Sequence, residues 1–208
     1  IRVTDGLRTS LPHLLAYSGS SPFVVGVDTF RHSARTQIFT RMFPRGGIPD
    51  AFGGWIEYER CVRFLYETGS ITEHTQLWWS VRPHLAFPTV EIRICDGQPE
   101  LGEAQSLAAL MYALAARIAR AVDEGEPLPA HPPRLLEENL WRAIRHGLSG
   151  ELIDLEAGEV RPARAEIERL IEWSLPVAEE LGVAPFLTVP AVSVSERQMA
   201  RYEAGETL

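Results

Sequence analysis

The segment Thr89–Asp96, which reads TVEIRICD, constrains the fold of this chain more than any other stretch. Its apolar and polar residues alternate, and this pattern is typical of a β-strand that buries one face. The buried face would carry three aliphatic residues: Val90, Ile92 and Ile94. Glu91 and Arg93 would project together from the opposite face, roughly 6–7 Å apart along the strand. We expect the aliphatic face to pack against a long apolar helix predicted over Leu101–Val122.

A second strand is predicted over Leu77–Arg82, ended by Pro83. It places Arg82 beside the charged pair, and the neighbouring Trp78 and Trp79 indicate a walled groove rather than open solvent. Two interpretations of this pattern stay open. The first is a surface ion pair, which contributes little to stability. The second is a ligand site, in which the carboxylate holds a divalent cation and the arginines face a phosphate or a substrate carboxylate.

Helical spacing of apolar residues accounts for most of the remaining chain. The predicted helices are Asp5–Tyr17 with a break at Pro12, Trp55–Leu65 followed by Gly69 as terminator, Leu101–Val122, Arg134–His146, one from Ala163 interrupted at Pro176, and Ser195–Glu203. The stretch Ser18–His32 is rich in Gly, Ser, Pro and Asp, which predicts a long loop. We expect Ala34–Phe43 to be extended and Glu151–Val160 to form a hairpin.

The chain of 208 residues is long enough for one large domain. Residues 126–133 contain four prolines and are predicted to be a linker. The linker would separate residues 1–125, which carry both predicted strands, from a helical region of the same domain in residues 134–208.

Composition excludes several classes of protein. The formal net charge is −8, and every one of the 20 basic residues is an arginine. An acidic chain of this kind is poorly suited to wrapping nucleic acid, which needs clustered positive charge. No apolar run approaches the roughly 20 residues of a membrane span. The two cysteines, Cys61 and Cys95, form no disulfide framework or zinc pattern, so we expect a cytoplasmic protein.

Several spaced motifs resemble one known family. They are Ser20–Phe23, Gly26–Thr29, Ser33–Thr36, Trp78–His84, Pro88–Asp96 and Glu138–Leu148. Together they are similar to the type 2 glutamate–cysteine ligases, and more closely to the bacterial branch described as carboxylate–amine ligases. The similarity runs over nearly all of the chain, and the number and order of the motifs make it specific.

The resemblance implies an α+β fold, with the C-terminal part of a glutamine-synthetase-like antiparallel sheet in residues 1–125, backed by helices. It implies ATP and Mg²⁺ as cofactors, and glutamate and an amine such as cysteine as substrates. Glu91 would bind the metal, and Arg82 and Arg93 would be catalytic residues that face the ATP phosphates. Arg31 and Arg35 would meet the substrate carboxylate. We also expect a homodimer.

In this family the sheet begins with strands that bear further metal-binding glutamates, and these have no counterpart from Ile1 onward. We therefore expect the 208-residue segment alone to be inactive. Two alternatives stay open. One is a regulatory or interaction module that keeps the fold but does not bind ATP, and the other is a ligase that uses an amine other than cysteine.

Overall fold

The computed structural model describes residues 1–85 and 87–206 and has an α+β architecture. Its α-helices are α1 (Arg2–Leu7), α2 (Leu11–Ser18), α3 (Ala34–Met42), α4 (Trp55–Glu67), α5 (Leu101–Glu124), α6 (Pro133–His146), α7 (Ala163–Glu180) and α8 (Val194–Glu203). Its strands are β1 (Phe23–Val24), β2 (Val27–Asp28), β3 (Val81–His84), β4 (Thr89–Ile92), β5 (Glu151–Asp154) and β6 (Glu159–Pro162). Successive strands pair as antiparallel hairpins, β1 with β2, β3 with β4 and β5 with β6.

The core forms where α5 meets the helices on both sides of it in the sequence. Helices α1, α2 and α7 pack on α5, and α6 packs on α2. Buried leucines and isoleucines from all of these helices join one apolar cluster, among them Leu14, Leu114, Leu140 and Ile167. Residues before and after the proline-rich stretch therefore share one core, although residues 126–132 themselves lie outside any helix or strand.

The β3–β4 hairpin places the charged residues as the alternation predicted. Arg82 lies directly opposite Glu91 in the pairing register, and Val81 lies opposite Ile92. Ile94 is only 2% exposed, and Val90 and Ile92 are half-buried against the same core. The predicted inward face is therefore confirmed for Ile94 and partly for the other two residues. Helix α1, which packs on α5, is the helix that contacts β3.

Both strand boundaries differ from the prediction. Strand β3 begins at Val81 and continues through Pro83. A proline is tolerated here because β3 pairs only with β4, so the N–H groups on its other edge need no strand partner. Strand β4 ends at Ile92, and the alternation is lost beyond it. The Cys95 sulfur lies 3.7 Å from the Met111 sulfur of α5. Burial raises the pKa of the Cys95 thiol to about 12, so the thiol is inert.

The prediction that Ala34–Phe43 is extended is wrong, because Ala34–Met42 forms the helix α3. The Ser33 hydroxyl accepts a hydrogen bond from the Thr36 N–H at 3.2 Å and caps the helix start.

Helix α7 continues through Pro176, where an interruption was expected. Pro176 is exposed, so water can bond the carbonyl that loses its partner.

The remaining predicted elements are confirmed within a few residues. The first helix is two pieces, with Pro12 in the first turn of α2. Gly69 follows α4 with a φ of 65° and α5 ends at Gly125 with a φ of 74°. The loop Ser18–His32 contains the short β1–β2 hairpin, which the sequence did not predict.

His13 of α2 is a buried titratable group in the helical core. It is 8% exposed, and its Nδ1 donates a hydrogen bond to the Thr9 carbonyl oxygen at 3.2 Å. Burial lowers the pKa of His13 to about 4, and the negative charges of Glu166 and Asp154 oppose this shift only in part. The imidazole is therefore neutral in the folded protein at neutral pH.

We expect His13 to make the protein less stable in mild acid. The unfolded chain takes up a proton near its ordinary pKa of about 6.5, whereas the folded chain resists protonation until about 4. The free energy of unfolding should therefore fall by about 2 kcal/mol between about pH 7.5 and about pH 5 because of this residue. Urea unfolding of His13→Gln should show a correspondingly flatter pH dependence. His146→Gln, at an exposed histidine, is the control, and an unchanged slope in His13→Gln would contradict the assignment.

Candidate active site

Glu91 lies between two arginines on the β3–β4 hairpin. Its Oε2 pairs with Arg82 Nε at 2.9 Å, and its Oε1 lies 3.2 Å from Arg93 Nε. Each carboxylate oxygen thus has its own guanidinium partner. The Arg82 side chain is 9% exposed, the Arg93 side chain 26% and the Glu91 side chain 39%. The structure therefore brings together three of the five residues predicted to form the site.

Arg82 is bound by protein groups at both Nε and Nη1. Besides Glu91, its Nη1 donates to the carbonyl oxygens of Leu77 at 2.6 Å and Thr75 at 3.0 Å. These carbonyls belong to the 3₁₀ turn His74–Gln76 and the residue after it. Arg82 therefore fastens this turn to the hairpin and holds Glu91 in place.

Arg93 is the more accessible arginine of the pair. It makes one further hydrogen bond, from Nη1 to the Leu77 carbonyl oxygen at 3.4 Å. Burial lowers its pKa first, the positive charge of Arg82 lowers it further, and Glu91 acts in the opposite direction. Two guanidinium groups that share one carboxylate leave an excess positive charge at this point. An anion placed beside Arg93 would relieve it.

Arg35 reaches the same region from α3. Its guanidinium donates to the carbonyl oxygens of Arg93, Ile94 and Cys95 at 3.3–3.4 Å and lies 3.5 Å from Asp96 Oδ1. It also lies over the Phe39 ring, 5.2 Å from its centre. Arg35 is thus adjacent to the cluster through the backbone of Arg93.

Arg31 lies apart from the other predicted residues. Its Nη1 donates to the Thr29 carbonyl oxygen at 2.7 Å, and its guanidinium lies 6.0 Å from the centre of the Trp141 ring in α6. Among the described residues it makes no hydrogen bond or ion pair with Glu91, Arg93 or Arg35. The predicted contact of Arg31 and Arg35 with the substrate carboxylate stays a prediction.

A small cavity lies between α3 and the hairpin. Arg35, Trp78, Ser80 and Arg93 are among the residues that line it, and its volume is about 20 Å³. The edge of Trp78 packs on Phe43 at 4.5 Å between ring centres, so Trp78 forms a wall, as the sequence indicated. A space of this size holds about one water molecule and no nucleotide.

Asp96 is a residue whose role the sequence analysis missed. It is 3% exposed, and its Oδ2 accepts hydrogen bonds from the Ser20 N–H at 3.0 Å and the Ser21 hydroxyl at 2.7 Å. Since Oδ1 faces Arg35, one carboxylate joins the loop, α3 and the end of β4. The signal was present, because Ser20, Ser21 and Asp96 all lie within the spaced motifs.

The other end of the loop is fastened to α8. A hydrogen bond of 2.7 Å joins His32 Nδ1 to the Ser195 hydroxyl, and both side chains are buried. Ser193 and Glu196 form a capping box at the start of α8, which fixes the position of Ser195. Burial lowers the pKa of His32, so the ring is neutral at neutral pH. This contact is a structural attachment of the loop to α8.

The described residues do not form a complete Mg²⁺ site. Both oxygens of Glu91 are paired with arginines, and nowhere in residues 1–85 and 87–206 do three or more His, Cys, Asp or Glu side chains group closely enough to hold a metal ion. Mg²⁺ needs six oxygen ligands in near-ideal octahedral geometry. Glu91 as a metal ligand therefore stays a prediction.

Comparison with known proteins places the chain in one family. The model of the family described as "Glutamate-cysteine ligase family 2 (GCS2)" matches residues 1–195. A protein of Solibacter usitatus is 41% identical over 182 residues, which is 88% of this chain and 47% of the relative. A protein of Gloeobacter violaceus is 39% identical over 196 residues, covering 94% of this chain and 52% of the relative. Both carry the name "Putative glutamate--cysteine ligase 2".

The chain spans about half the length of the curated relatives it matches. In the part of the chain that the structure describes, no helix is both long and apolar enough to cross a lipid bilayer. The family match extends from the first residue to within α8 and includes the arginine–glutamate hairpin. The chain belongs to glutamate–cysteine ligase family 2.

Proposed function

We propose that the protein is an ATP-dependent carboxylate–amine ligase that joins glutamate to an amine such as cysteine. The observation that carries the proposal is the cluster of Arg82, Glu91 and Arg93, with one arginine buried in fixed contacts and the other partly open. The names of the relatives in the same family support it.

The chemistry of such a ligase explains why arginines are needed. The carboxylate of the first substrate attacks the γ-phosphorus of ATP, ADP leaves, and an acyl-phosphate forms. The nitrogen of the amine then attacks the acyl carbon and displaces phosphate. Both steps bring anions together, so positive groups held in position lower the barrier by neutralising them.

In this proposal the arginines have different roles. Arg93 contacts the phosphoryl group or the acyl-phosphate, because it is the more exposed member of the pair. Arg82 is a positioning residue that holds Glu91, since its Nε binds Glu91 and its Nη1 binds backbone carbonyl oxygens. Arg35 and Arg31 are proposed to contact the substrate carboxylate, with Arg35 nearer the cluster.

We test the proposal by measuring phosphate release and product mass with the full-length protein. Release should depend on ATP, glutamate and an amine together, and mass spectrometry should detect the γ-glutamyl amide. Cysteine and a set of other amino acids, tested separately, would identify the amine.

The 208-residue chain alone should release phosphate at least about 100-fold more slowly, because the described residues hold too few carboxylates for Mg²⁺. No release with any amine tested would contradict the ligase assignment, and equal rates from both proteins would contradict the need for further carboxylates.

The proposal also includes a location and an oligomeric state. Both cysteines are free thiols, which agrees with a reducing, cytoplasmic location. The expected homodimer is proposed to form through the C-terminal helices, whose exposed faces carry several glutamates such as Glu168 and Glu172.

A further inference from the structure

A cavity among the described residues lies on a different part of the molecule from the arginine cluster. Its volume is about 390 Å³, and α1, α2, the C-terminal half of α5, the proline-rich stretch, β5 and α7 surround it. This volume lies within the range of small-molecule sites, which is about 300–1,000 Å³. None of Arg31, Arg35, Arg82, Glu91 and Arg93 lines it.

One side of the cavity is apolar and aromatic. Ile118 of α5, Leu128 of the proline-rich stretch, and Leu170 and Trp173 of α7 form this side. Trp173 is stacked by the Arg117 guanidinium, 4.7 Å from the ring centre, and Arg117 also pairs with Glu126 at 2.9 Å. Glu126 is therefore already neutralised at the rim of the cavity.

Two other residues that line the cavity, Glu166 and His13, each offer a hydrogen-bond acceptor that no protein donor uses. The Glu166 side chain is 7% exposed, and its Oε1 accepts from Arg169 at 2.9 Å. Its second oxygen, Oε2, accepts no hydrogen bond from the described residues. Asp154 differs in this respect, because Arg161 and Arg169 bind its Oδ2 and the backbone N–H groups of Glu156 and Ala157 bind its Oδ1.

His13 supplies the second acceptor. A carbonyl oxygen can only accept, so the hydrogen bond to Thr9 places the ring proton on Nδ1 and leaves a lone pair on Nε2. Nε2 makes no hydrogen bond with any described residue. The low pKa of about 4 keeps this lone pair available at neutral pH, and the charge of Glu166 acts on the same ring.

A ligand that fits this cavity must donate hydrogen bonds at one end and be apolar at the other. Around the cavity, four carboxylates (Glu126, Asp154, Glu156 and Glu166) face three arginines (Arg117, Arg161 and Arg169). The local balance thus favours a cation over an anion. A carboxylate oxygen without a protein donor also binds a charged donor more strongly than a neutral one.

We propose that this cavity is a binding site for a small organic amine with an aromatic or branched apolar group. The ammonium group donates to Glu166 Oε2 and His13 Nε2, and the apolar group lies against Leu170 and Trp173. The site is separate from the proposed ligase centre, so the proposal does not depend on the ligase activity.

The test uses 2-phenylethylamine as the probe and 2-phenylethanol as its neutral match, titrated into the full-length protein by calorimetry. We expect saturable binding of the amine and at least tenfold weaker binding of the alcohol, because the alcohol offers no charged donor. Glu166→Gln should lower the affinity for the amine about tenfold or more. Glu172→Gln, at an exposed position of the same helix, is the matched control and should leave the affinity unchanged.

A second variant, Leu170→Trp, fills the cavity without changing its charge and should abolish binding of both probes. It decides the question if Glu166→Gln fails to fold, which circular dichroism would reveal. Absence of saturable amine binding by the unmodified protein would overturn the proposal. Unchanged amine binding in Leu170→Trp, or in folded Glu166→Gln, would overturn it as well.

Discussion

Replacing Glu91 by Gln in the full-length protein should lower ligase turnover about 100-fold or more while leaving the fold intact. Gln has the same shape, but it carries no charge and its NH₂ group faces one of the two arginines that Glu91 binds. Arg82, with a side chain only 9% exposed, would lose its counter-charge, and Arg93 would lose the group that orients it. Initial rates of phosphate release with glutamate and the preferred amine measure the effect.

The dependence on Mg²⁺ and ATP separates two roles for this carboxylate. If Glu91 is a metal ligand, the variant should need a higher Mg²⁺ concentration for half-maximal activity. If Glu91 only positions the arginines, the Mg²⁺ requirement should stay constant and the KM for ATP should rise. Glu67→Gln, at an exposed glutamate of α4, is the control. Normal turnover in Glu91→Gln would remove the residue from the site altogether.

Gly147→Ala should destabilise the protein by about 3 kcal/mol or more. Gly147 ends α6 with a φ of 55° and a ψ of −143°, a conformation that essentially only glycine adopts. An added Cβ would lie 2.5 Å from His32 Nδ1, closer than any real contact. His32 cannot yield easily, because its backbone N–H donates to the Ile144 carbonyl oxygen at 2.8 Å and its ring bonds Ser195.

Gly158→Ala tests a positive φ at a site without a close contact. Gly158 also has a positive φ, of 71°, but no atom lies within 4 Å of its added Cβ. Its substitution should cost about 1 kcal/mol, the strain of a left-handed conformation alone. Urea unfolding of the two variants provides the comparison. Equal losses would mean that the contact with His32 contributes nothing.

The sequence predicted those features that depend on local periodicity. The alternation around Glu91 gave the polar face of β4 correctly, since side-chain direction in a strand follows from position alone. Helix α5 was predicted within two residues, because its apolar spacing is regular and Gly125 terminates it. The residues later found in the arginine–glutamate cluster were therefore identifiable before their contacts were known.

The features that the sequence did not predict depend on contacts between distant segments. The α3 segment contains Thr36, Phe39 and other residues that favour extended structure. It is nevertheless a helix, because Ser33 caps its start and Thr36 bonds the Ile94 carbonyl oxygen just beyond the hairpin. Besides Glu91, Arg82 binds carbonyl oxygens of a turn five to seven residues earlier, and the sequence did not predict these contacts. Asp96 joins residues that are about 60 to 75 positions apart, which no local pattern records.

The attachment of the loop Ser18–His32 at both ends affects how much order a ligand must impose when it binds. Asp96 fixes the start of the loop and Ser195 fixes its end, whereas the tip is open to solvent, with Val25 97% exposed and Phe30 69% exposed. The tip can therefore fluctuate on the nanosecond-to-microsecond scale of surface loops without displacing Arg35 or the strand end behind it. The arginines then stand in place before a ligand arrives, and binding carries little entropic cost for ordering them.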